Sequence, residues 1–418
     1  MKKLCEMTKE EKDAFYQKAL ADYQGYKAQG LKIDMSRGKP GPEQLVFSDA
    51  LYHSVDENHY KSEDGTDCRN YGGLMGIDES RQLFAHMLGV EKKNVIACGN
   101  ASLSLMFDYI SQCMTHGCGD KPWMQQGKVK FIAVVPGYDR HFAIAEHFGI
   151  EMVNVPIRAD GPDMDMVEEI IQDPSVKGMF CVPKYSNPDG VTYSAEVVER
   201  LAAMEPAAKD FRVIYDNAYV VHDLYDETEP LAEIFTAAKK YGHEDNFIEF
   251  ASTSKITFPG AGVAALAASD NNIAAIKKRL TVQVISYDKL NQLRHSRVFR
   301  NMDDIHAQMK RHASIMRPKF EAVEEILEKE LGGLGIARWT NPKGGYFISL
   351  YLQGVSAKRV GVLCKEAGLT LTPVGATYPY GVDPDDSNIR IAPTFPSVEE
   401  LKTCAEILTA AVRVAACE

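Results

Sequence analysis

The sequence predicts an α/β fold, in which a smaller α+β domain follows a large domain built around a mostly parallel sheet. The first observation behind this prediction is that short, β-rich apolar runs alternate with helical patterns over residues 94–269. The second is a change after Asn301, where a long helical pattern is followed by strands and a closing helix. The third is size: the 418 residues, 45% of them hydrophobic, can bury two cores, because one domain takes roughly 100–200 residues.

The chain is expected to open with a helix. Thr8 and Glu11 have the spacing of a capping box, and the polar, helix-prone residues 9–29 follow them. An apolar helix is expected to begin near Leu103. The strands expected in the large domain lie at residues 95–97, 131–135, 179–182, 213–215, 247–251 and 263–266.

The smaller domain is expected to contain a long helix, strands and a final helix. The helix is predicted at residues 303–330, the strands at 346–350 and 389–392, and the last helix from Ser397 onward. The chain then divides into three parts. We expect an N-terminal segment, 1–50, that packs with the small domain, a large cofactor-binding domain, 51–300, and a small C-terminal domain, 301–418.

Charge and cysteine content argue against several kinds of partner. The formal net charge of -11 repels nucleic acids and anionic membranes. The nine cysteines are scattered, with no C-x-x-C pair and no spacing that suits zinc, which is typical of reduced thiols in a cytosol. No run approaches the roughly 20 apolar residues of a membrane helix. We therefore expect a cytoplasmic protein with no metal, nucleic-acid or membrane partner.

Polar or conformationally special residues follow four of the predicted strands, at positions 99–102, 186–190, 216–219 and 252–255. Ligands of open parallel sheets bind at the carboxyl ends of the strands, so these segments are the candidate site. Lys255 is bounded by hydroxyl and apolar residues, which is unusual for a solvated charge. A desolvated lysine can form a Schiff base.

The other three segments each have a simpler alternative. Residues 99–102 can hold a phosphate at a helix N-terminus, or form an ordinary turn with Ser102 near the cap. The amide of Asn187 can be aimed at a ligand by a strained or cis bond to the following proline, or lie in a surface turn. Asp216 can pair with a buried cation, with Tyr219 on the same side, or cap a helix.

Taken in order, these segments resemble the fold-type I aminotransferases, which use pyridoxal 5'-phosphate (PLP), and the similarity covers nearly the whole chain. The chain most resembles a divergent bacterial subgroup of aspartate aminotransferases. The resemblance implies a mostly parallel, seven-stranded-type sheet in the large domain, PLP as the cofactor and a homodimer. It also implies that Lys255 carries PLP as a Schiff base and that Asp216 pairs with its pyridine nitrogen. Asn187 and Tyr219 are implied as donors to its phenolic oxygen.

The resemblance implies further contacts to the cofactor. Tyr138 falls where the family stacks an aromatic ring on PLP, and Tyr71 falls where a tyrosine reaches the phosphate of the neighbouring subunit. The residues that fall near the phosphate are Asn100, Ala101, Ser102, Ser252 and Ser254. A carboxylate favours the protonated pyridine nitrogen that makes the ring an electron sink. The lysine amine must be neutral to attack and to move a proton.

One position departs from the family pattern. The arginine that usually follows the lysine by eight residues, and pairs with the cofactor phosphate, is replaced by Val263. The phosphate charge must then be met by hydroxyl groups, backbone N–H groups or another cation.

Substrate contacts are also implied by the resemblance. Arg390 matches the arginine for the α-carboxylate, which a planar guanidinium binds through two parallel bonds; a surface salt bridge is the simpler alternative. Gly38 and Asn187 fall where the family approaches the substrate. A dicarboxylate needs a second cation, and Arg294 and Arg297 are candidates that the other subunit can supply. For each of them an exposed basic helix face is the alternative.

The implied activity is transamination of aspartate or glutamate with a 2-oxo acid by a ping-pong cycle. One alternative is a β-lyase, or a transaminase for another amino acid, because fold does not fix the reaction. A second is a non-catalytic ligand sensor, although such a chain needs an added basic DNA-reading module. Residues 260–265 fit a loose G-x-G-x-x-A pattern but lack the βαβ context of a dinucleotide site.

Overall fold

The structure is a computed structural model that describes residues 2–418. Its α-helices, in chain order, are α1 (Lys9–Lys27), α2 (Pro42–Leu45), α3 (Asp78–Leu88), α4 (Ser102–His116), α5 (Asp139–His147), α6 (Met164–Ile170), α7 (Ala195–Ala203), α8 (Ile234–Lys239), α9 (Asp270–Gln283), α10 (Lys289–Val298), α11 (Met302–Leu331), α12 (Ala357–Glu366) and α13 (Val398–Ala415). The predicted opening, long and closing helices are α1, α11 and α13. The capping box before α1 is present, because Thr8 and Glu11 each accept a hydrogen bond from the other's backbone N–H.

The strands, in chain order, are β1 (Ile33–Asp34), β2 (Val95–Ala97), β3 (Lys130–Val135), β4 (Glu151–Arg158), β5 (Gly161–Pro162), β6 (Val176–Cys181), β7 (Arg212–Asp216), β8 (Phe247–Ser252), β9 (Ala264–Ala268), β10 (Ala337–Trp339), β11 (Ile348–Leu352), β12 (Leu369–Thr370) and β13 (Asn388–Ile391). All the strands predicted from the sequence are present, with ends shifted by up to three residues. The sequence analysis did not predict β1, β4, β5, β10 or β12.

The large sheet confirms the predicted α/β class. Its eight strands run in the order β2-β9-β8-β7-β6-β3-β4-β5. The neighbours from β8 through β7, β6 and β3 to β4 are parallel, while β9 and β5 pair antiparallel at the two sides. Successive side chains of β7 enter separate apolar cores, Val213 on one face and Ile214 on the other. A sheet covered on both faces is what long apolar strands require.

A second, antiparallel sheet of order β10-β11-β13 forms the C-terminal part with α11, α12 and α13. The N-terminal segment contacts this part: α1 packs on α13, and β1 pairs in parallel with β12. Within residues 2–418, the helices are all too short or too polar to cross a lipid bilayer.

Candidate active site

A cleft with an empty volume of about 500 Å³ lies where several strands of the large sheet end. Larger clefts occur elsewhere on the surface, but the residues predicted for the site converge here. Those that line the cleft are Gly38, Ser102, Tyr138, Asn187, Asp216, Tyr219 and Lys255. A Cβ atom at position 38 would lie 2.5 Å from Cζ of Phe347, so a larger residue there would displace this ring.

Lys255 lies on the wall of this cleft, three residues after β8 ends. The residue is half-buried, and its Nζ lies 4.8 Å from the ring centre of Tyr219 and 5.9 Å from that of Tyr346. Burial lowers the pKa of the amine below the ordinary lysine value, and the carboxylate of Asp216 opposes this effect. The neutral, nucleophilic form of the amine is therefore favoured at a lower pH than for a solvated lysine.

Asp216 ends β7 and presents a carboxylate with one free oxygen. Its Oδ2 lies 3.0 Å from Nε2 of His141, and both side chains are buried. Its Oδ1 is buried and has no hydrogen-bond partner among residues 2–418. An unpaired carboxylate oxygen costs free energy in a protein interior unless a donor or cation meets it. The oxygen is thus available for a protonated nitrogen in the cleft.

The sequence analysis missed His141. Its ring stacks on Phe180, with the centroids 4.7 Å apart, and thereby holds the contact to Asp216. The available signal was the spacing from Tyr138: residues three apart at the start of a helix lie on the same side. Tyr138 precedes α5, and its ring lies 5.0 Å from that of His141.

Asn187 and Tyr219 complete the polar wall. Both are buried, and the bond between Asn187 and Pro188 is cis. Burial raises the pKa of Tyr219 well above the ordinary value, so the phenol keeps its proton and can donate. Burial likewise raises the pKa of Tyr138 to about 12.

A set of uncharged polar groups, which we call the cradle, lies at the start of α4; it consists of the first N–H groups of this helix and the hydroxyls of Ser252 and Ser254. The cap residue, Ala101, has no side chain that could bond the first N–H groups of this helix, which are free to bind an anion. Two hydroxyls from the neighbouring loop join them: Oγ of Ser252 lies 3.0 Å from Oγ of Ser254, which donates to the carbonyl of Asn100 at 3.3 Å. Both hydroxyl protons are donated within the protein, and they can reach an anion when the hydroxyls rotate away from these acceptors. The cradle thus offers N–H donors and two rotatable hydroxyls.

Val263, which replaces the arginine that usually pairs with the cofactor phosphate, lies in the apolar core. Its N–H donates to Oγ1 of Thr253 at 2.9 Å, and its side chain is buried in an apolar cluster with Ala251 and Ile256. The position is therefore part of the core and contributes no charge to the cradle.

Arg390 lies in β13 beside the cleft, with a largely fixed guanidinium. Nη1 donates to Oδ1 of Asp139 at 2.8 Å and to Oδ1 of Asn187 at 3.2 Å, while Nε donates to Oγ1 of Thr372 at 3.3 Å. The ring of Phe347 lies against it, 4.9 Å from ring centre to Cζ. The surface salt bridge considered as an alternative does not describe this residue, because its side chain is only 8% exposed.

Three residues predicted for the site, Arg294, Arg297 and Tyr71, do not line the cleft. Arg297 donates to the carbonyls of Ser54, His59 and Lys61, and so ties a loop to α10. Arg294 is half-buried on the same helix. Tyr71 is 77% exposed and does not line the cleft.

The donors present fit PLP. Asp216 offers the unpaired buried oxygen that a pyridinium nitrogen needs, Lys255 offers an amine with a lowered pKa, and the uncharged cradle offers donors for a phosphate. Tyr138 supplies an aromatic face and Asn187 an amide.

Comparisons with known proteins agree with this geometry. The profile of the aspartate amino-transferase family matches residues 7–418. An aspartate aminotransferase of Corynebacterium glutamicum is 45% identical over 97% of this chain and 94% of its own. The crystal structure of an aspartate transaminase from the same species has a TM-score of 0.97 at 44% identity, covering 99% of this chain and 98% of the other.

A more distant structure shares the fold. The α-aminoadipate aminotransferase LysN of Thermus thermophilus, solved with N-(5'-phosphopyridoxyl)-L-leucine, has a TM-score of 0.73 at 20% identity. The match covers 94% of this chain and 96% of the other.

Proposed function

The chain is an aminotransferase of the aspartate amino-transferase family, and we propose that it transfers the amino group of L-aspartate to 2-oxoglutarate with PLP as cofactor. The products are oxaloacetate and L-glutamate. The observation that carries this proposal is one cleft that holds both the amine of Lys255 and the unpaired oxygen of Asp216. The Corynebacterium glutamicum relatives, which are aspartate aminotransferases, support the choice of substrate.

We assign the cofactor's contacts to the residues of the cleft. Lys255 holds it covalently, Asp216 faces its ring nitrogen, and Tyr138 covers one face of the ring. Asn187 and Tyr219 donate to its phenolic oxygen. When bound, PLP supplies an electron sink for the charge that develops on the α-carbon of the substrate. The residues assigned to its phosphate are Asn100, Ala101, Ser102, Ser252 and Ser254.

The protein side of the reaction follows from the same residues. Arg390 binds the α-carboxylate of the substrate and so orients the bond to the α-hydrogen. Lys255, with its lowered amine pKa, takes this proton and later returns one. Gly38, which we assign to the substrate site, lets the ring of Phe347 lie against its backbone, and both residues line the cleft.

The distal carboxylate of a dicarboxylic substrate needs a cation, and we assign it to the partner subunit's Arg294. Arg297 is a weaker candidate, because its guanidinium already donates to three backbone carbonyls. This assignment requires that the two subunits share their sites. We propose a homodimer located in the cytoplasm.

Steady-state kinetics test the activity. Aspartate and 2-oxoglutarate should give oxaloacetate, and plots of reciprocal rate against reciprocal substrate concentration should be parallel lines, as a ping-pong cycle requires. Intersecting lines would reject the cycle. If aspartate gives no oxaloacetate while another pair in a panel of amino donors and oxo acids turns over, the substrate assignment is wrong. Release of ammonia without an acceptor would instead identify a β-lyase.

The shared site is tested through Tyr71. Its exposed side chain lies on a loop that Lys289 holds, with Nζ donating to the carbonyls of Asn70 at 2.7 Å and Gly72 at 2.6 Å. A phenol that donates to a phosphate contributes a charge-assisted hydrogen bond. We therefore expect Tyr71→Phe to weaken PLP binding by about 10- to 100-fold.

A hybrid of two variants separates a shared site from a self-contained one. A dimer of one Tyr71→Phe chain and one Lys255→Ala chain should contain one complete site. At a PLP concentration that leaves the Tyr71→Phe dimer largely unloaded, the activity of the hybrid should exceed that of either parent variant and approach half that of the unmodified dimer. Activity no higher than the average of the two parents would show that Tyr71 serves its own subunit.

A further inference from the structure

We propose that Asp139 lowers the affinity of Arg390 for substrate carboxylates. The carboxylate of Asp139 pairs with the guanidinium of Arg390 before substrate binds, and it moves to pair with Arg140 when substrate binds. This inference rests on the proposed role of Arg390, and it adds that Asp139 competes with the substrate carboxylate for this guanidinium. The carboxylate of Asp139 lies between two arginines. Its Oδ1 accepts from Nη1 of Arg390 at 2.8 Å, and its Oδ2 lies 3.9 Å from Nε of Arg140.

The need for Asp139 follows from the burial of Arg390. A buried guanidinium without a counterion is strongly unfavourable. In the structure Asp139 supplies that counterion, and Asn187 and Thr372 accept the other hydrogen bonds. The site for the α-carboxylate is therefore electrically neutral before substrate arrives, and Arg390 is already oriented.

The substrate competes with Asp139 for one nitrogen. A guanidinium has five N–H donors in a fixed fork, and a carboxylate binds best when it accepts from two of them in parallel. Nη1 is taken by Asp139 and Asn187, and Nε by Thr372, while Nη2 has no partner among residues 2–418. The two N–H groups of Nη1 donate to Asp139 and Asn187, so a carboxylate that binds Nη1 and Nη2 in parallel must displace one of these acceptors. Asp139 is the one that leaves, because its charge repels the incoming carboxylate.

Asp139 is placed to make this exchange. It is the first residue of α5, and its side chain is 29% exposed, so it can rotate away from Arg390 without entering the core. Arg140 is the next residue and is 60% exposed, so its guanidinium can move toward the released carboxylate. The exchange keeps each charge paired. Part of the substrate's binding free energy is used to move Asp139, which weakens carboxylate binding.

The experiment compares Asp139→Asn with the unmodified protein. Asparagine keeps the size and an acceptor oxygen but lacks the charge, so the variant should bind succinate, an unreactive dicarboxylate, about 5- to 20-fold more tightly by calorimetry on the PLP-loaded protein. The KM for aspartate should fall by a similar factor, and kcat should change less than KM. Asp160→Asn, at an exposed position outside the cleft, is the matched control and should change neither value.

A second variant tests the exchange itself. Arg140→Gln removes the cation that receives Asp139, so it should weaken succinate binding by about 3- to 5-fold in the unmodified background. In the Asp139→Asn background the same change should have no effect.

Unchanged or weaker succinate binding by Asp139→Asn overturns the role of Asp139, and equal effects of Arg140→Gln in both backgrounds overturn the exchange. Failure of the unmodified protein to transaminate any substrate pair would reject the proposed function instead, while the succinate comparison would still decide the role of Asp139.

Discussion

Replacing Lys255 with alanine should lower kcat by about 10⁴-fold or more and abolish covalent attachment of PLP. Proton transfer by a positioned side chain contributes about 10²- to 10⁴-fold in rate, and this residue also forms the covalent link. Among the residues that line the cleft it is the one amine, and burial already lowers its pKa. No neighbouring side chain in the cleft can replace both roles.

The measurement is borohydride reduction of the purified holoenzyme, followed by digestion and mapping of the tagged peptide. The tag should lie on Lys255 in the unmodified protein and be absent from the alanine variant. Lys255→Arg, which keeps a cation but cannot form the link, should be equally inactive. Lys277→Ala, at an exposed position on α9, should behave like the unmodified protein. An active, covalently tagged Lys255→Ala protein would falsify the assignment.

The dependence on Lys255 also has a pH signature. Because burial lowers the pKa of the amine, the neutral form appears below the ordinary lysine value of 10.5. The rate at which PLP attaches to the apoprotein should therefore rise with pH and level off below pH 10.5. In a protein unfolded by urea the same rate should keep rising to a higher pH, because the amine is then solvated.

The fold could be predicted from the sequence where local patterns carry the information. The buried strands β6, β7 and β8 are apolar runs bounded by polar segments, and all were found. The strand β4 was missed because it lies near the edge of the sheet, where polar and apolar residues mix and Pro156 interrupts the pattern. The two residues of β5 are too few to form a pattern.

The site, like the fold, could be predicted where local patterns carry the information. Asp216 ends β7, while Asn187 and Lys255 lie in the segments that follow β6 and β8. Because these are neighbouring parallel strands, their carboxyl ends predicted a shared cleft, and all three residues line it. His141 and Asp139 were missed because their importance lies in contacts to Asp216 and Arg390, which are 75 and 251 residues away in the chain. The spacing from Tyr138 was the one local signal for His141, and no local pattern distinguishes Asp139 from an ordinary helix position.

Replacing Asp216 with asparagine should have the second largest effect, lowering kcat by roughly 10²-fold to several thousandfold. Breaking a buried charge pair by removing one partner costs about 3–5 kcal/mol, which corresponds to roughly that loss of rate when the charge is needed in the transition state. Here Asp216 lines the cleft with its Oδ1 unpaired, while its Oδ2 lies 3.0 Å from Nε2 of His141. Asparagine keeps the shape of the side chain, so the loss reports the charge.

Comparison with a variant of His141 shows whether the charge itself is required. His141→Asn leaves the Asp216 carboxylate in place and only loosens it, so its kcat should fall less, by about 10- to 100-fold, as is typical when a supporting hydrogen bond is removed. The two variants should differ in the absorbance of bound PLP. Asp216→Asn should shift the absorbance toward that of a cofactor with an unprotonated ring nitrogen, whereas His141→Asn should change mainly the pH at which the spectrum titrates. If both variants lose kcat equally and leave the spectrum unchanged, Asp216 only supports the packing of the cleft. In that case it would not matter whether its charge is removed, as in Asp216→Asn, or only loosened, as in His141→Asn.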